Sequence, residues 1–190
     1  MMIFLILAPY GAFAVLMLLT SAVTSLFAAA MLCLAVIAWD AWRGRSIKMF
    51  GAGSAIVFLG LAGYLVLVDS SLSGSEVKLV VDAGMLAIAL VSLAIRKPFT
   101  QQYALETVDA ATAQLPEFRR ANYVITSVWS AAFVLMLLAN ALLIYLPGLP
   151  LWCGLAIALA ARNSALLFTK WYPERQRAKF ATSATSTGAP

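Results

Sequence analysis

The chain has 190 residues, of which 63% are hydrophobic and only 11% are charged, and its formal net charge is +5. Soluble domains carry about a quarter of their residues as charged side chains, so this composition excludes a soluble globular protein and indicates a membrane protein. The absence of His excludes haem ligation by His, a His-bearing zinc site and general-base catalysis by His.

Apolar stretches of about 20 residues, the length at which a helix crosses a bilayer, recur along the chain. They predict an all-α, polytopic transmembrane bundle of about six spans that forms a single domain over 1–180, followed by a disordered tail over 181–190. The expected helices cover about 2–19, 22–42, 49–68, 78–95, 123–146 and 151–169. The first has no positive segment before its long apolar run, so we expect a retained span rather than a cleaved signal peptide.

The Lys and Arg residues are concentrated on one side of these spans. They occupy the turn after the second helix, the long polar connection over 96–122 and the segment after the sixth helix, whereas the loops over 69–77 and 147–150 contain none. The positive-inside rule therefore predicts that both termini and the connection over 96–122 are cytoplasmic.

Three polar residues within the spans are the candidates for a site in the membrane: Arg162, Asn140 and Asp82. An ionisable residue in a span costs at least about 2.5 kcal/mol on the insertion scale and marks a functional site by default. Helical side chains point toward the N-terminus of their helix, so Arg162 is expected to reach the depth of Asn140 and Asp82. The cluster fits a substrate or ion site between the fourth, fifth and sixth helices, or a structural pair that locks the bundle. Lys78, four residues before Asp82, offers an ordinary helical pair instead.

The connection over 96–122 is the candidate docking surface for partners. Its docking residues are expected to be Arg96, Lys97, Tyr103, Arg119 and Arg120. Thr100 is a suitable N-cap for a helix. The residues that recur after it at roughly helical spacing are Tyr103, Thr107, Val108, Ala111 and Leu115. This pattern predicts an amphipathic helix on the inner leaflet, and it fits a simple connector as well as a docking surface.

Structural roles are expected for the other unusual residues. Asp40 lies three residues before Arg43 and is expected to form a surface ion pair with it at the membrane rim. Gly60 and Gly63 are expected to let a neighbouring helix approach closely, and a hinge in the third helix is the alternative. The two Cys residues lie in apolar spans without CxxC spacing, so they are expected to be packing residues.

Several short motifs are spread over most of the chain. They are Leu7-Ala8-Pro9, the basic turn with Arg43, Arg45 and Lys48, Lys78 at the start of the fourth helix, Lys97-Pro98 at its end, and Asn122, Trp129, Asn140 and Pro147. Their order and spacing resemble the bacterial intracellular septation protein A family of small inner-membrane proteins. The resemblance implies a protein of the bacterial inner (plasma) membrane, connected with cell-envelope integrity and division, that acts through protein contacts rather than catalysis. Asp82 and Arg162 do not belong to the shared pattern.

The expected function is that of a non-enzymatic inner-membrane scaffold or accessory factor in cell-envelope maintenance or cell division. The alternative is a small transporter or channel that uses the polar cluster in the spans. No cofactor, no metal and no nucleic acid are expected. The expected partners are the lipid bilayer with its anionic headgroups, envelope or division membrane proteins, and other copies of the chain.

Overall fold

In the computed structural model, the regular elements of the described chain are all helices, which confirms the all-α prediction. The structure describes the backbone of 2–146 and 148–187 and the side chains of 8–146, 148–150 and 152–176. The helices are α1 (Met2–Leu19), α2 (Ala22–Trp42), α3 (Met49–Leu67), α4 (Gly74–Ala94), α5 (Phe99–Ala104), α6 (Ala110–Ala113), α7 (Pro116–Tyr145) and α8 (Leu151–Thr187).

Five of these helices, α2, α3, α4, α7 and α8, are long and apolar enough to cross a membrane, with mean hydropathies of 1.3 to 2.2 over their spans. The remaining predicted span is α1, which has 18 residues. Its part with described side chains, Ala8–Leu19, is a shorter apolar helix. Large apolar side chains cover the outside of the bundle; Ile56 is 72% exposed and Leu67 is 83% exposed. Such a surface suits lipid and not water, so the chain is a multi-pass membrane protein.

The long helices pack mainly on their neighbours in sequence. The pairs are α1 with α2, α2 with α3, α3 with α4 and α7 with α8, and α4 also packs on α7. Aromatic rings join elements that are distant in the chain: Phe13 of α1 lies 5.5 Å from Phe58 of α3, and Phe50 of α3 lies 6.1 Å from Phe133 of α7, centroid to centroid. Tyr10 of α1 lies 6.4 Å from Phe133, so α1 also contacts α7.

Small residues bring α3 and α4 together at positions other than those predicted. A Cβ added at Gly53 or at Gly84 would lie 2.8 Å from a side chain of the other helix, so these two glycines allow the close approach. An added Cβ at Gly60 or Gly63 would meet no described atom within 4 Å, so the prediction that they mediate packing was wrong. Both Cys residues are free, and Cys33 is buried in the core.

The fourth helix begins at Gly74, earlier than the predicted start at Lys78. Ser73 and Glu76 form a capping box: the Ser73 hydroxyl oxygen accepts from the Glu76 N–H at 3.3 Å, and the Glu76 carboxylate accepts from the Ser73 N–H at 2.6 Å. Both bonds satisfy N–H groups that a helix start leaves free. The Ser-x-x-Glu spacing carried this signal in the sequence, and Lys78 lies inside the helix.

The last two long helices also exceed their predicted bounds. The helix predicted from Tyr123 begins at Pro116, because Pro fits the first turn, where its missing N–H is not needed. The helix predicted to end at Thr169 continues to Thr187. Its backbone is therefore helical over part of the tail predicted to be disordered at 181–190, and residues 188–190 lie outside the described chain.

The connection over 96–122 does not form the long amphipathic helix that was predicted. It contains the six-residue α5, the single turn α6 and the start of α7. Thr100 is not an N-cap: it lies within α5, and its hydroxyl donates to the Asn122 carbonyl at 3.0 Å and lies 2.8 Å from the Thr126 hydroxyl. These bonds fix α5 against α7.

Candidate functional site

A buried carboxylate, Asp82, lies at the centre of a polar cluster inside the spans. Tyr10 of α1 donates its hydroxyl hydrogen to Oδ1 of Asp82 at 2.5 Å, and Asn140 of α7 donates from Nδ2 to Oδ2 at 2.7 Å. Asp82 is only 1% exposed. The predicted approach of Asp82 to Asn140 is therefore present in the structure, and one carboxylate joins α1, α4 and α7.

Arg162, the third residue of the predicted cluster, contacts the helix that carries Tyr10 and forms no direct bond to Asp82 among the described residues. Its guanidinium packs against α1, where Nη2 is 3.4 Å from the position that a Cβ at Gly11 would occupy. Its Nε is buried and has no hydrogen-bond partner among the described residues. Within the same described part of the chain, neither Arg162 nor Lys78 forms an ion pair with Asp82. Neutral donors, and not cations, therefore satisfy the carboxylate.

Sequence reasoning missed Tyr10 as a member of this cluster. It is the only side chain in α1 that carries a polar group, and it lies between Pro9 and Gly11 in the middle of an apolar helix. A buried Tyr hydroxyl usually finds a hydrogen-bond partner. An isolated Tyr within an otherwise apolar span was the signal that could have found it.

A second polar group lies at the end of the bundle that carries the 43–48 turn and the connection over 96–122, here called the basic end. Asp40, Arg45, Lys48 and Glu106 form an ion network there. Lys48 Nζ lies 2.6 Å from Asp40 Oδ2 and 2.7 Å from Glu106 Oε1, and the Lys48 side chain is 4% exposed. Arg45 Nη1 lies 3.6 Å from Asp40 and 3.7 Å from Glu106. The network therefore joins the end of α2, the 43–48 turn and the connection.

The surface pair predicted between Asp40 and Arg43 was wrong. Asp40 is buried at 6% exposure, and Arg43 instead lies over the Trp39 ring at 4.6 Å from its centroid. Gly44 adopts a left-handed conformation with φ +67°, and the Arg45 N–H donates to the Asp40 carbonyl at 2.9 Å. This reversal after α2 returns Arg45 toward Asp40.

The environment of the ion network changes two pKa values. Burial opposes the charged form of Lys48, but its hydrogen bonds to Asp40 and Glu106 outweigh that effect and raise the pKa of Lys48 above its ordinary value. Burial raises the pKa of the Tyr103 phenol as well. Lys48 Nζ lies 5.4 Å from the Tyr103 ring centroid, so a charged ammonium rests against an aromatic face.

The basic end also contains an open pocket of about 850 Å³, here called the basic pocket. It lies between the end of α4, α5, α6 and the first turns of α7. Its lining residues are Arg96, Lys97, Pro98, Gln101, Gln102, Leu105, Ala113, Gln114, Leu115, Pro116, Arg119, Arg120 and Tyr123. Four cations and three amides therefore face one concave surface, and no carboxylate is among the residues that line it.

The four cations of the basic pocket form no ion pair with any described residue. Two carboxylates of the connection are used elsewhere: Glu106 binds Lys48 at 2.7 Å, and Asp109 caps α6 by accepting from the Thr112 N–H at 3.1 Å. The third, Glu117, lies in the first turn of α7, does not line the pocket and forms no ion pair within the described chain. Hydrogen bonds from Thr112 hold the pKa of Asp109 below its usual value. The pocket is therefore electropositive, and its charge is not neutralised within the described chain.

The structure brings together four of the five residues predicted to dock partners. Arg96, Lys97, Arg119 and Arg120 are exposed and line the basic pocket. Tyr103 differs from the expectation: it is 9% exposed, and its hydroxyl points to Gly51 in the bundle. The amide side chains of the pocket were missed. Gln in a polar connection carries no distinctive sequence signal, and only the fold places these side chains beside the cations.

Arg96 has an unusual backbone conformation, with φ +58°. The Lys97 N–H donates to the Ser92 carbonyl and the Arg96 N–H donates to the Leu93 carbonyl, both at 3.0 Å, which is the Schellman pattern of a helix end. Glycine is usual at this position, as Gly44 is at the end of α2. A side chain in the left-handed region costs about 1–2 kcal/mol. The chain therefore holds a cation at the pocket where the backbone favours Gly.

Compared with known proteins, the chain matches no protein-family model, and neither a curated protein nor a solved structure is significantly similar to it. The resemblance to the septation family therefore stays a prediction. The fold and its apolar surface define the class: a multi-pass membrane protein built as a helical bundle.

Proposed function

We propose that the protein is a non-enzymatic scaffold or accessory factor in its membrane, and that partner proteins dock on the connection over 96–122. Within this proposal, the septation-family resemblance assigns the scaffold to the bacterial inner membrane and to envelope maintenance or cell division. The basic end is then the cytoplasmic face of the molecule.

The observation that supports docking is the combination of a fixed backbone with an exposed, charged outer side. Four contacts hold the connection to the bundle: Lys48 binds Glu106, the Met49 N–H donates to Gln102 Oε1 at 2.8 Å, and Thr100 contacts α7 twice. A simple flexible linker would not need these contacts. A preorganised surface loses less conformational entropy when a partner binds, which favours recognition.

The test is photo-crosslinking from Ala110, which is exposed, begins α6 and does not line the basic pocket. A photoreactive residue at this position should capture one reproducible protein from native membranes, and mass spectrometry should identify a component of the envelope or division machinery. Tyr103 is unsuitable for the probe because it is buried.

Ser71 provides the matched control, because it is exposed in the loop between α3 and α4, outside the connection. The same probe at Ser71 should not capture the Ala110 partner. Equal capture from both positions, or capture of lipid alone from Ala110, would contradict docking on the connection.

The second candidate is a transporter or channel, and the polar cluster inside the spans favours it. Asp82 is buried among α1, α4 and α7, and the Nε atom of Arg162 is buried without a partner among the described residues. Polar groups of this kind in spans frequently line ion or solute pathways. If Arg162→Leu folds normally but abolishes movement of a solute across vesicles, the transporter replaces the scaffold. A purely structural Arg162 would change only stability.

A further inference from the structure

We infer that the basic pocket binds the phosphate headgroup of an anionic phospholipid. This inference concerns a lipid site within the connection that is proposed to dock partners, and its test does not require a protein partner. It depends on the charge inside the pocket, the conformation of Arg96 and the place of the pocket at the end of the spans.

The charge of the pocket matches a lipid phosphate. Arg96, Lys97, Arg119 and Arg120 line it without any carboxylate and without an ion pair in the described chain. Guanidinium groups bind phosphate oxygens through two parallel hydrogen bonds, and such charge-assisted bonds are roughly twice as strong as neutral ones. The amide of Gln114, which also lines the pocket, adds a neutral donor for a headgroup oxygen.

The conformation of Arg96 indicates that its charge is needed at this position. Its φ of +58° lies in the region that favours Gly, and the equivalent position after α2 is Gly44. Strained residues that the surrounding structure maintains are concentrated at binding sites. The strain therefore fits a cation that is held for a ligand and not for the fold.

The place and the apolar lining favour a lipid over a soluble anion. The pocket begins at Arg96, two residues after Ala94 ends α4, and it extends to Tyr123, where the apolar part of α7 starts. This is the depth at which headgroups lie. Leu105 and Leu115 also line it and are 44% and 50% exposed, so apolar surface lies beside the cations. An amphipathic ligand uses both surfaces, whereas a free phosphate uses only the cations.

The experiment is a binding measurement on the full chain, purified in a neutral detergent, by native mass spectrometry. Phosphatidylglycerol and phosphatidylcholine with the same acyl chains are titrated separately. The wild-type chain should bind one phosphatidylglycerol more tightly than phosphatidylcholine. Removing two cations in Arg119→Gln/Arg120→Gln should weaken phosphatidylglycerol binding by about tenfold or more, since a loss of about 1.4 kcal/mol is tenfold.

The matched control is Arg43→Gln/Arg175→Gln, which removes the same charge from two exposed Arg residues that lie over Trp rings outside the pocket. It should retain wild-type affinity. Arg96→Gly is a second pocket variant, in which the strain at φ +58° is relieved. It should fold normally but bind phosphatidylglycerol more weakly than the wild-type chain does. Far-UV circular dichroism checks the fold of each variant.

Three results would overturn the lipid site. They are equal affinity of the wild-type chain for the two lipids, equal loss in the pocket and control variants, and complete displacement of the lipid by soluble glycerol phosphate or polyglutamate. The last would assign the pocket to a soluble phosphate ester or an acidic peptide. If any of these results is found while the probe at Ala110 still captures its protein partner, the docking proposal stands and only the lipid site is rejected.

Discussion

The basic end of the bundle carries two charged regions that are built in opposite ways. The ion network joins two cations, Arg45 and Lys48, to two carboxylates, and the Lys48 side chain at its centre is 4% exposed. The basic pocket gathers four cations without a carboxylate, and all four are exposed. Both regions touch the same connection, because Glu106 belongs to the network and Arg96 to the pocket.

This difference separates charges that hold the fold from charges that are available to a ligand. A buried cation with two carboxylates cannot lose them without leaving charges unpaired, so Lys48 is tied to folding. The four pocket cations have no partner in the described chain, so folding does not depend on pairing them. Using Glu106 in the network also keeps a carboxylate out of the pocket.

The largest effect that would separate the two regions is expected from Lys48→Met. The substitution roughly keeps the length of the side chain but leaves the buried Asp40 and the partly buried Glu106 with only Arg45, at 3.6 and 3.7 Å, to compensate. Breaking a buried ion pair costs about 3–5 kcal/mol, and the residual Arg45 contacts place this case at the lower end. The free energy of unfolding, measured by titration of mixed micelles with a denaturing detergent, should therefore fall by about 3 kcal/mol.

The matched control is Lys97→Met in the basic pocket. Lys97 is exposed and has no ion pair in the described chain, so its substitution should change the free energy of unfolding by less than about 0.5 kcal/mol. Equal destabilisation by the two variants would show that the pocket cations are part of the fold, and the comparison would fail.

A smaller effect is expected from alkaline pH. The pKa of Lys48 is raised in the folded state above its ordinary value of 10.5, so the folded chain holds this proton more tightly than the unfolded chain. The stability from this interaction is therefore complete below the ordinary pKa of 10.5 and is lost as the pH rises through the folded pKa. The loss is smaller than in Lys48→Met because a neutral amine still donates hydrogen bonds.

The alkaline measurement needs Lys48→Met as its reference. The pKa of Tyr103 is also raised, and ionisation of its buried phenol destabilises the folded state in the same direction. Unfolding curves of both proteins from about pH 8, well below the ordinary Lys48 pKa of 10.5, to about pH 11, above it, isolate the part due to Lys48. Parallel curves for the two proteins would show that Lys48 does not contribute.

The sequence predicted the spans better than the charged regions, and hydropathy explains why. Hydropathy reports which residues fit in lipid, and it placed the first two helices at the bounds that the structure shows. Helix ends in water depend on caps and on Pro, so the starts at Gly74 and Pro116 were missed. The Ser73 capping box was readable in the sequence, whereas hydropathy has no term for it.

The partners of charged residues were less predictable, because they depend on which distant segments meet. The sequence suggested that Asp82 and Asn140 share a depth, and they are hydrogen-bonded. It paired Asp40 with its neighbour Arg43, whereas the fold pairs Asp40 with Lys48 and Arg45. The pocket cations were identified from composition, but their common concave surface arises only when α5 and α6 fold against α7.

The smallest effect, and the one that most directly links the two regions, is expected at the paired helix ends after α2 and α4. Gly44 and Arg96 occupy the same left-handed position, at φ +67° and +58°. Gly44→Ala should cost about 1 kcal/mol of stability, whereas Arg96→Gly should gain up to about 1 kcal/mol, because the flexibility of Gly in the unfolded chain offsets part of the relieved strain. Unfolding in mixed micelles measures both changes, and phosphatidylglycerol binding should weaken only in Arg96→Gly. A stability loss in Arg96→Gly would mean that this arginine serves the fold like Lys48, and the strain would then have no connection with a ligand.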